Sequence, residues 1–200
     1  MRSRSIVLAI AMFSSVCLSG CALTTAKVDI QYVPQSGVTA IEGAKDVSVN
    51  VQVTDSRLEP KVGSKKNGFG MEMAQIRTNE DANFTFQKAI QHELKARGFA
   101  LGQQDAVVNI DADLMKYYND FKIGFLAGDA IAEMNMGVTI KSRKGDLLYS
   151  RQFVTQGIER NIQLASGDNA RLALERALAE GMKKLFEDKT FIAALVKSKK

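Results

Sequence analysis

The chain has 200 residues, 46% of them hydrophobic, and its 27 basic and 22 acidic residues give a formal net charge of +5 at pH 7. This length is sufficient for one domain with its own hydrophobic core. The small excess of basic residues, interspersed with acidic ones, excludes a nucleic-acid-binding protein.

Residues 1–20 have the pattern of a secretory signal peptide. Arg2 and Arg4 form a positive start, and an apolar run follows from Ile6 to Val16. A membrane-spanning helix needs roughly 20 apolar residues, so this run favours a cleaved signal peptide. An uncleaved membrane anchor is the alternative interpretation.

The signal peptide ends in a sequence that resembles the lipobox of bacterial lipoproteins, Leu18-Ser19-Gly20-Cys21. In those proteins the chain is cut before the cysteine, which then carries acyl chains. Cys21 would be the only cysteine of the mature chain, so no internal disulfide bond can form. We expect it to hold a diacylglyceride and an N-acyl chain such as palmitate, and we predict no other cofactor. Several acyl chains anchor a protein stably in a membrane, and Ala22 at the next position points to the outer membrane.

The mature chain is predicted to contain a tether and one domain. Residues 21–45 include Pro34 and Gly37 and show no sustained periodicity, which predicts a lipidated cysteine followed by a flexible tether. Residues 46–200 are predicted to form a single α+β domain.

The domain is predicted to begin with a strand, because valines alternate with polar residues from Val47 to Thr54. Asp55-Ser56-Arg57 then leaves the strand, and residues 57–79 contain one proline and three glycines. This composition predicts a long loop, a feature that tends to be functional or mobile. A short strand around residues 71–78 is an alternative for part of it.

The remaining elements are a helix, three strands and two further helices. Phe86, Ile90 and Leu94 share one face of a helix over residues 83–97, and Gly98 fits its C-terminal end. Alternating patterns predict strands at residues 108–114 and 130–140. A turn signal at residues 144–146 predicts that residues 147–159 pair back as a further strand. The last long helix is predicted to begin at Ser166 or Asp168 as its N-cap and to end at residue 186. A short helix at residues 191–196 follows it.

The order β-α-β-β-β-α predicts an α+β fold. We expect an antiparallel sheet of about four to five strands with two helices packed on one face.

Residues 46–196 and the lipobox resemble the YajG family of uncharacterised Gram-negative lipoproteins. The similar features are the strand that runs into Asp55-Ser56-Arg57, the helix ending in residues 94–99, the Asn169-Ala170 start of the last long helix, and residues 191–195. The resemblance implies a lipid-anchored outer-membrane protein that faces the periplasm. It implies no established activity and supplies no catalytic residues.

Residues suited to catalysis or metal binding are few. His92 is the only histidine, so Ser-His-Asp, Cys-His and zinc sites lack their usual groups. Asn109, Asp111 and Asp113 share one strand face, but successive side chains about 7 Å apart are too distant to hold one cation. We therefore predict no metal site and no enzymatic activity.

Two segments are candidates for binding a partner. Asp55 and Arg57 can pair with each other to hold the chain, or contact a partner. The apolar connection that contains Phe121 and Phe125 either contacts a partner or lipid or closes one end of the sheet. We predict that segments 57–79 and 117–128 bind another envelope protein or a second copy of the chain.

Two alternatives remain open. A carrier of lipid or peptidoglycan fragments requires a pocket between the sheet and the helices. A hydrolase that uses only carboxylates would depend on Asp55, Asp111 and Asp113.

Overall fold

The computed structural model describes residues 23–102 and 106–197. The predicted signal peptide, lipobox and Cys21 lie outside the described residues. The strands are β1 (Ala26–Val28), β2 (Ser48–Asp55), β3 (Lys61–Lys66), β4 (Glu72–Thr78), β5 (Ala100–Leu101), β6 (Val108–Lys122), β7 (Gly128–Ser142) and β8 (Leu147–Ile162). The helices are α1 (Ala82–Ala96), α2 (Gly167–Glu187) and α3 (Lys189–Lys197).

All eight strands form one mixed sheet around β6. On one side β6 pairs with β7 in antiparallel orientation, and β7 pairs with β8. On its other side β6 pairs in parallel with β2 along its first half and with β3 near Asn119. Strand β5 then extends the sheet beyond β2, whereas β4 and β1 extend it beyond β3.

The chain is α+β overall, but the prediction of an antiparallel sheet with four to five strands and two helices is wrong. Strands β1 and β5 have only three and two residues, too short to show an alternating pattern. Parallel pairing joins segments that are distant in sequence, so local periodicity contains no signal for the pairing of β2 with β6.

The predicted long loop at residues 57–79 is largely the β3–β4 hairpin. The alternative of a short strand near residues 71–78 corresponds to β4. The sequence does not predict β3 because an alternating pattern needs several apolar side chains. In Lys-Val-Gly-Ser-Lys-Lys only Val62 has one. A Cβ on Gly63 would lie 3.0 Å from the backbone oxygen of Asn119, so glycine permits the close pairing with β6.

The segment predicted as a flexible tether packs against the domain where the structure describes it. Strand β1 pairs in parallel with β4, the Ile41 N–H donates to Arg97 O over 2.9 Å, and Ala44 is fully buried. The tether prediction is therefore wrong for residues 26–45. These contacts join residues far apart in the chain, which the absence of local periodicity does not reveal.

A β-bulge at Met115 changes the phase of β6. The register with β7 shifts between Leu114 and Lys116, so buried positions are even-numbered up to Leu114 and odd-numbered from Tyr117 to Phe121. A bulge adds one residue to one strand and reverses its alternation. This explains why the alternating pattern in the sequence ends at residue 114 although the strand continues to Lys122.

The helices cover one face of the sheet and enclose the core. Helix α2 begins with the Ser166 hydroxyl as N-cap, accepting a hydrogen bond from the Asn169 N–H over 3.3 Å. None of the helices among residues 23–102 and 106–197 is long and apolar enough to cross a membrane.

The opposite face of the sheet is open and mainly polar. Cross-strand pairs connect its side chains: Asn50 with Asn109 (3.1 Å), Lys141 with Asp111 (2.8 Å), Gln152 with Asn135 (2.8 Å) and Lys116 with Glu133 (3.0 Å). Antiparallel strands commonly present one solvated face of this kind.

Candidate functional site

Asp55 and Arg57 form a bidentate ion pair where β2 ends. Arg57 Nε lies 2.7 Å from Asp55 Oδ1, and Arg57 Nη2 lies 2.6 Å from Asp55 Oδ2. Arg57 Nη1 also donates to Tyr117 O over 3.3 Å, and its side chain is only 6% exposed. The hydrogen bonds from Arg57 hold the pKa of Asp55 below its usual range. The pair therefore helps to hold Ser56 and Arg57 against the middle of β6, where the Ser56 N–H also donates to Leu114 O.

Leu58 follows this pair and is fully exposed. It lies beside Met115, the partly exposed bulge residue of β6, and Tyr118. We call this surface the central notch; it is lined by Arg57, Leu58, Glu59, Lys61, Met115, Lys116, Tyr117 and Tyr118. The sequence did not single out Leu58 or Met115 as functional residues. An isolated leucine in a polar turn and the break in alternation at Met115 were the available signals.

The predicted apolar connection at residues 117–128 divides into a core part and an exposed part. Phe121 is 5% exposed and belongs to the core, as does Tyr117, whose ring meets that of Phe86 edge-to-face at 5.0 Å. Phe125, in the turn between β6 and β7, is fully exposed. Of the two predicted partner-binding phenylalanines, only Phe125 is available at the surface.

Three turns meet at the end of the sheet where β6 finishes. Gly68 from the β3–β4 turn, residues 123–128 and residues 162–165 line one cleft, and Lys66 pairs with Ala165. Large apolar side chains project from these turns, and we call them the apolar tip: Phe69, Met71, Phe125, Leu126 and Leu164. The two predicted binding segments thus come together here as well as at the central notch.

The structure separates Asp55 from the other two carboxylates considered for a hydrolase. Asp55 occupies the register position opposite Leu114, on the helix-covered face, whereas Asp111 and Asp113 lie on the open face. Asp111 is paired with Lys141, and Asp55 with Arg57. His92 is exposed on α1. Among residues 23–102 and 106–197, no group of three or more His, Cys, Asp or Glu residues could hold a metal ion.

A buried ion pair at the end of α1 holds the N-terminal segment, a role that the sequence alone did not indicate. Glu93 is fully buried and pairs with Arg97. The Tyr32 hydroxyl and the Gln35 N–H donate to Glu93 Oε1 over 2.6 and 3.0 Å. Burial alone would raise the pKa of Glu93, but hydrogen bonds from these groups and Arg97 outweigh it and lower that pKa. Arg97 also stacks on the Phe186 ring at 4.4 Å.

Comparison with known proteins identifies a family and related folds. A family model described as an uncharacterized lipoprotein, Lipoprotein_16, matches residues 34–196. The fold is similar to that of protein XCC0632 from Xanthomonas campestris, with a TM-score of 0.57, 11% identity, and coverage of 86% of this chain and 95% of that one. It is also similar to a Helicobacter pylori protein described as a homologue of the neuraminyllactose-binding hemagglutinin, with a TM-score of 0.53, 10% identity, and coverage of 85% and 97%. No curated protein matches the chain.

At these identities the two structures show a common fold and nothing further. The family match covers most of the chain and confirms the predicted resemblance to YajG-type lipoproteins. The chain therefore belongs to the Lipoprotein_16 family of uncharacterized lipoproteins.

Proposed function

We propose that this lipoprotein is anchored through Cys21 in the outer membrane, faces the periplasm, and binds another envelope protein at the central notch without catalysing a reaction. The observation that carries this proposal is the full exposure of Leu58 on a segment held by the Asp55–Arg57 pair.

The chemistry of the central notch fits a protein partner. Leu58 and Met115 provide apolar contacts on the open, mainly polar face of the sheet. Glu59, Lys61 and Lys116 surround them. An apolar centre with a polar rim is the usual composition of a protein–protein interface, and a fixed backbone lowers the entropy lost on binding.

The ion pairs and positions of the acidic residues support a binding role over a hydrolytic one. Asp55 and Asp111 are each engaged with a basic side chain, and they lie on opposite faces of the sheet. The direct contact of α2 with β8 argues against a carrier, which would need a pocket between the helices and the sheet. There a Cβ on Gly157 would collide with the backbone of Ala173 and Ala177, so the helix and the sheet are in direct contact.

The binding proposal is tested by site-specific cross-linking in cells. A photo-reactive residue replaces Glu59 at the rim of the central notch, and cross-linked products are identified. We expect one dominant envelope protein, whose recovery falls severalfold with Leu58→Asp. Leu147→Asp is the matched control, because Leu147 is also exposed but lies in the β7–β8 hairpin away from the notch. Equal recovery from both variants, or cross-links only to a second copy of the chain, would contradict the proposal.

The location is tested separately by membrane fractionation. We expect the wild-type protein in outer-membrane fractions and Cys21→Ser, with its signal peptide uncut, in inner-membrane or soluble fractions. Ala22→Asp should retain the acylated protein in the inner membrane. A Cys21→Ser protein that still fractionates with the outer membrane would contradict anchoring through this residue.

A further inference from the structure

The N-terminal segment enters the domain at the same end as the apolar tip. Strand β1 is parallel to β4, which starts directly after the turn that contains Phe69 and Met71. The Lys65 ammonium donates to Thr24 O over 2.9 Å. A Cβ on Gly167, the first residue of α2, would lie 2.9 Å from the Cβ of Ala26. Thr24 therefore lies beside Lys65 near the end of β3, and Ala26 lies beside the start of α2; the turns of the apolar tip adjoin both places.

The short chain between Leu23 and Cys21 limits how far the lipid anchor can lie from this end of the domain. Cys21 precedes Leu23 by two residues, and two peptide units span at most about 7 Å. A cysteine whose acyl chains lie in a bilayer therefore holds this end of the domain near the membrane surface. This step rests on the lipidation of Cys21 included in the proposed function.

The composition of the tip distinguishes it from the rest of the surface. The turns at residues 67–71, 123–127 and 163–166 read Asn-Gly-Phe-Gly-Met, Ile-Gly-Phe-Leu-Ala and Gln-Leu-Ala-Ser, without a charged residue. The five side chains of the apolar tip are mostly or fully exposed. At the other end of β7 and β8, the turn at residues 143–146 contains Arg143, Lys144 and Asp146.

We propose that the apolar tip inserts into the interfacial region of the phospholipid leaflet that holds the lipid anchor. Exposed apolar patches of this kind mark interaction sites, and aromatic and aliphatic side chains partition into the boundary between headgroups and acyl chains. The uncharged turns remove the cost of desolvating charges. Anchor and tip together form two linked membrane contacts, so the second is strengthened by the first.

The insertion would also orient the central notch. Met115 in β6 marks the central notch, and Ile123, the first residue after β6, marks the start of a tip turn. They are eight residues apart, and a strand rises about 3.3 Å per residue. The notch therefore lies about 25 Å from the tip, clear of the bilayer and accessible to a periplasmic partner.

Depth-dependent fluorescence quenching tests this proposal on the full lipidated protein in phosphatidylethanolamine–phosphatidylglycerol vesicles. Cys21 is acylated, so a single added cysteine can be labelled selectively. Gln163→Cys places the label among the tip turns without altering an apolar tip residue, and Lys144→Cys is the control at the opposite end. We expect lipid-attached quenchers to quench the label at residue 163 severalfold more than the label at residue 144.

Two further variants test whether the quenching depends on the tip side chains. The double variant Phe69→Ser/Phe125→Ser should abolish the difference in quenching between residues 163 and 144, whereas Leu147→Ser should preserve it. Both phenylalanines are exposed, so the far-ultraviolet circular dichroism and the thermal midpoint should not change. Co-flotation with vesicles but equal quenching at residues 163 and 144 would overturn tip insertion alone. A wild-type protein that does not float with vesicles would overturn the anchor and this proposal together, while the notch test would still stand on its own.

Discussion

Gly157 of β8 lies directly beneath Ala173 of α2, so close that a side chain at residue 157 would collide with the Ala173 carbonyl oxygen and the Ala177 nitrogen. Two residues earlier, the Thr155 hydroxyl donates to Ala177 O over 2.8 Å. Here the helix and the sheet meet backbone to backbone. The position of α2, and with it the end of the helix next to the apolar tip, depends on this contact.

Gly157→Ala should destabilise the protein strongly because neither backbone can move away cheaply. Forcing atoms into a packed interior costs typically about 1–3 kcal/mol, and occasionally more, so we expect a loss of about 3 kcal/mol in the free energy of unfolding, measured in urea. Gly137→Ala is the matched control, since a Cβ there meets only Met115 Cε at an ordinary 3.5 Å. Equal losses from the two substitutions would refute the close approach.

Glu93→Gln should uncouple the N-terminal segment from α1. The substitution leaves the Arg97 guanidinium buried without its counter-charge, and removing one partner of a buried pair costs about 3–5 kcal/mol. Urea unfolding measures this loss, and hydrogen exchange should show faster exchange of the Gln35 amide. Glu80→Gln, in the exposed pair with Lys88, should cost no more than about 1 kcal/mol. Similar losses in both variants would contradict the role of Glu93.

Asp188 should make the protein sensitive to acid. Burial alone would raise the pKa of Asp188, but hydrogen bonds from Thr190, Tyr149 and Arg151 outweigh it and hold that pKa well below its usual range. Because the folded-state pKa is lower than the unfolded-state value, the carboxylate stabilises the fold above the unfolded pKa of about 4. This contribution is lost as the pH falls from there through the folded-state pKa.

Asp188→Asn should therefore flatten the decrease of unfolding free energy below about pH 4. Thr190→Val removes the hydroxyl that donates to Asp188 Oδ1 over 2.6 Å and should flatten the decrease less. Urea titrations at a series of acidic pH values measure both slopes. If Asp188→Asn had the wild-type slope, Asp188 would not be a source of the acid sensitivity.

Arg57→Lys should loosen the central notch while keeping its positive charge. Lysine cannot make the two parallel hydrogen bonds that the guanidinium makes to Asp55. We expect faster hydrogen exchange of the Ser56 amide, which bonds to Leu114 O over 3.0 Å, and weaker partner cross-linking from residue 59. Lys88→Ala, which removes the exposed pair with Glu80 on the helix side of the domain, is the control. Unchanged exchange in Arg57→Lys would show that the ion pair does not order this segment.

Much of the secondary structure could be predicted from the sequence because its signals are local. The apolar face of α2 repeats with helical spacing from Leu174 to Phe186, and α1 and α3 lie close to their predicted bounds. Strand β7 alternates along most of its length, and a turn with glycine at Gly145 joins it to β8. In each element the residues that determine the structure are near neighbours in the chain.

The sequence also predicted that Asp55 and Arg57 could pair, since they are two residues apart at a strand end. It did not reveal that the pair supports Leu58 beside Met115. That relationship depends on the parallel pairing of β2 with β6, which joins segments almost 60 residues apart. It also depends on the bulge in β6, which turns Met115 to the open face.

The sequence by itself determined the signal-peptide and lipobox pattern, the main helices and long strands, and the family resemblance, because these features depend on residue type and short-range spacing. Only the tertiary structure decided that the sheet is mixed, that Phe121 is buried while Phe125 is exposed, and that three distant turns form one apolar tip beside the N-terminal segment. The physical reason is that strand pairing and helix packing are long-range: Gly63 meets Asn119, and Gly157 meets Ala173, only when the whole sheet has formed.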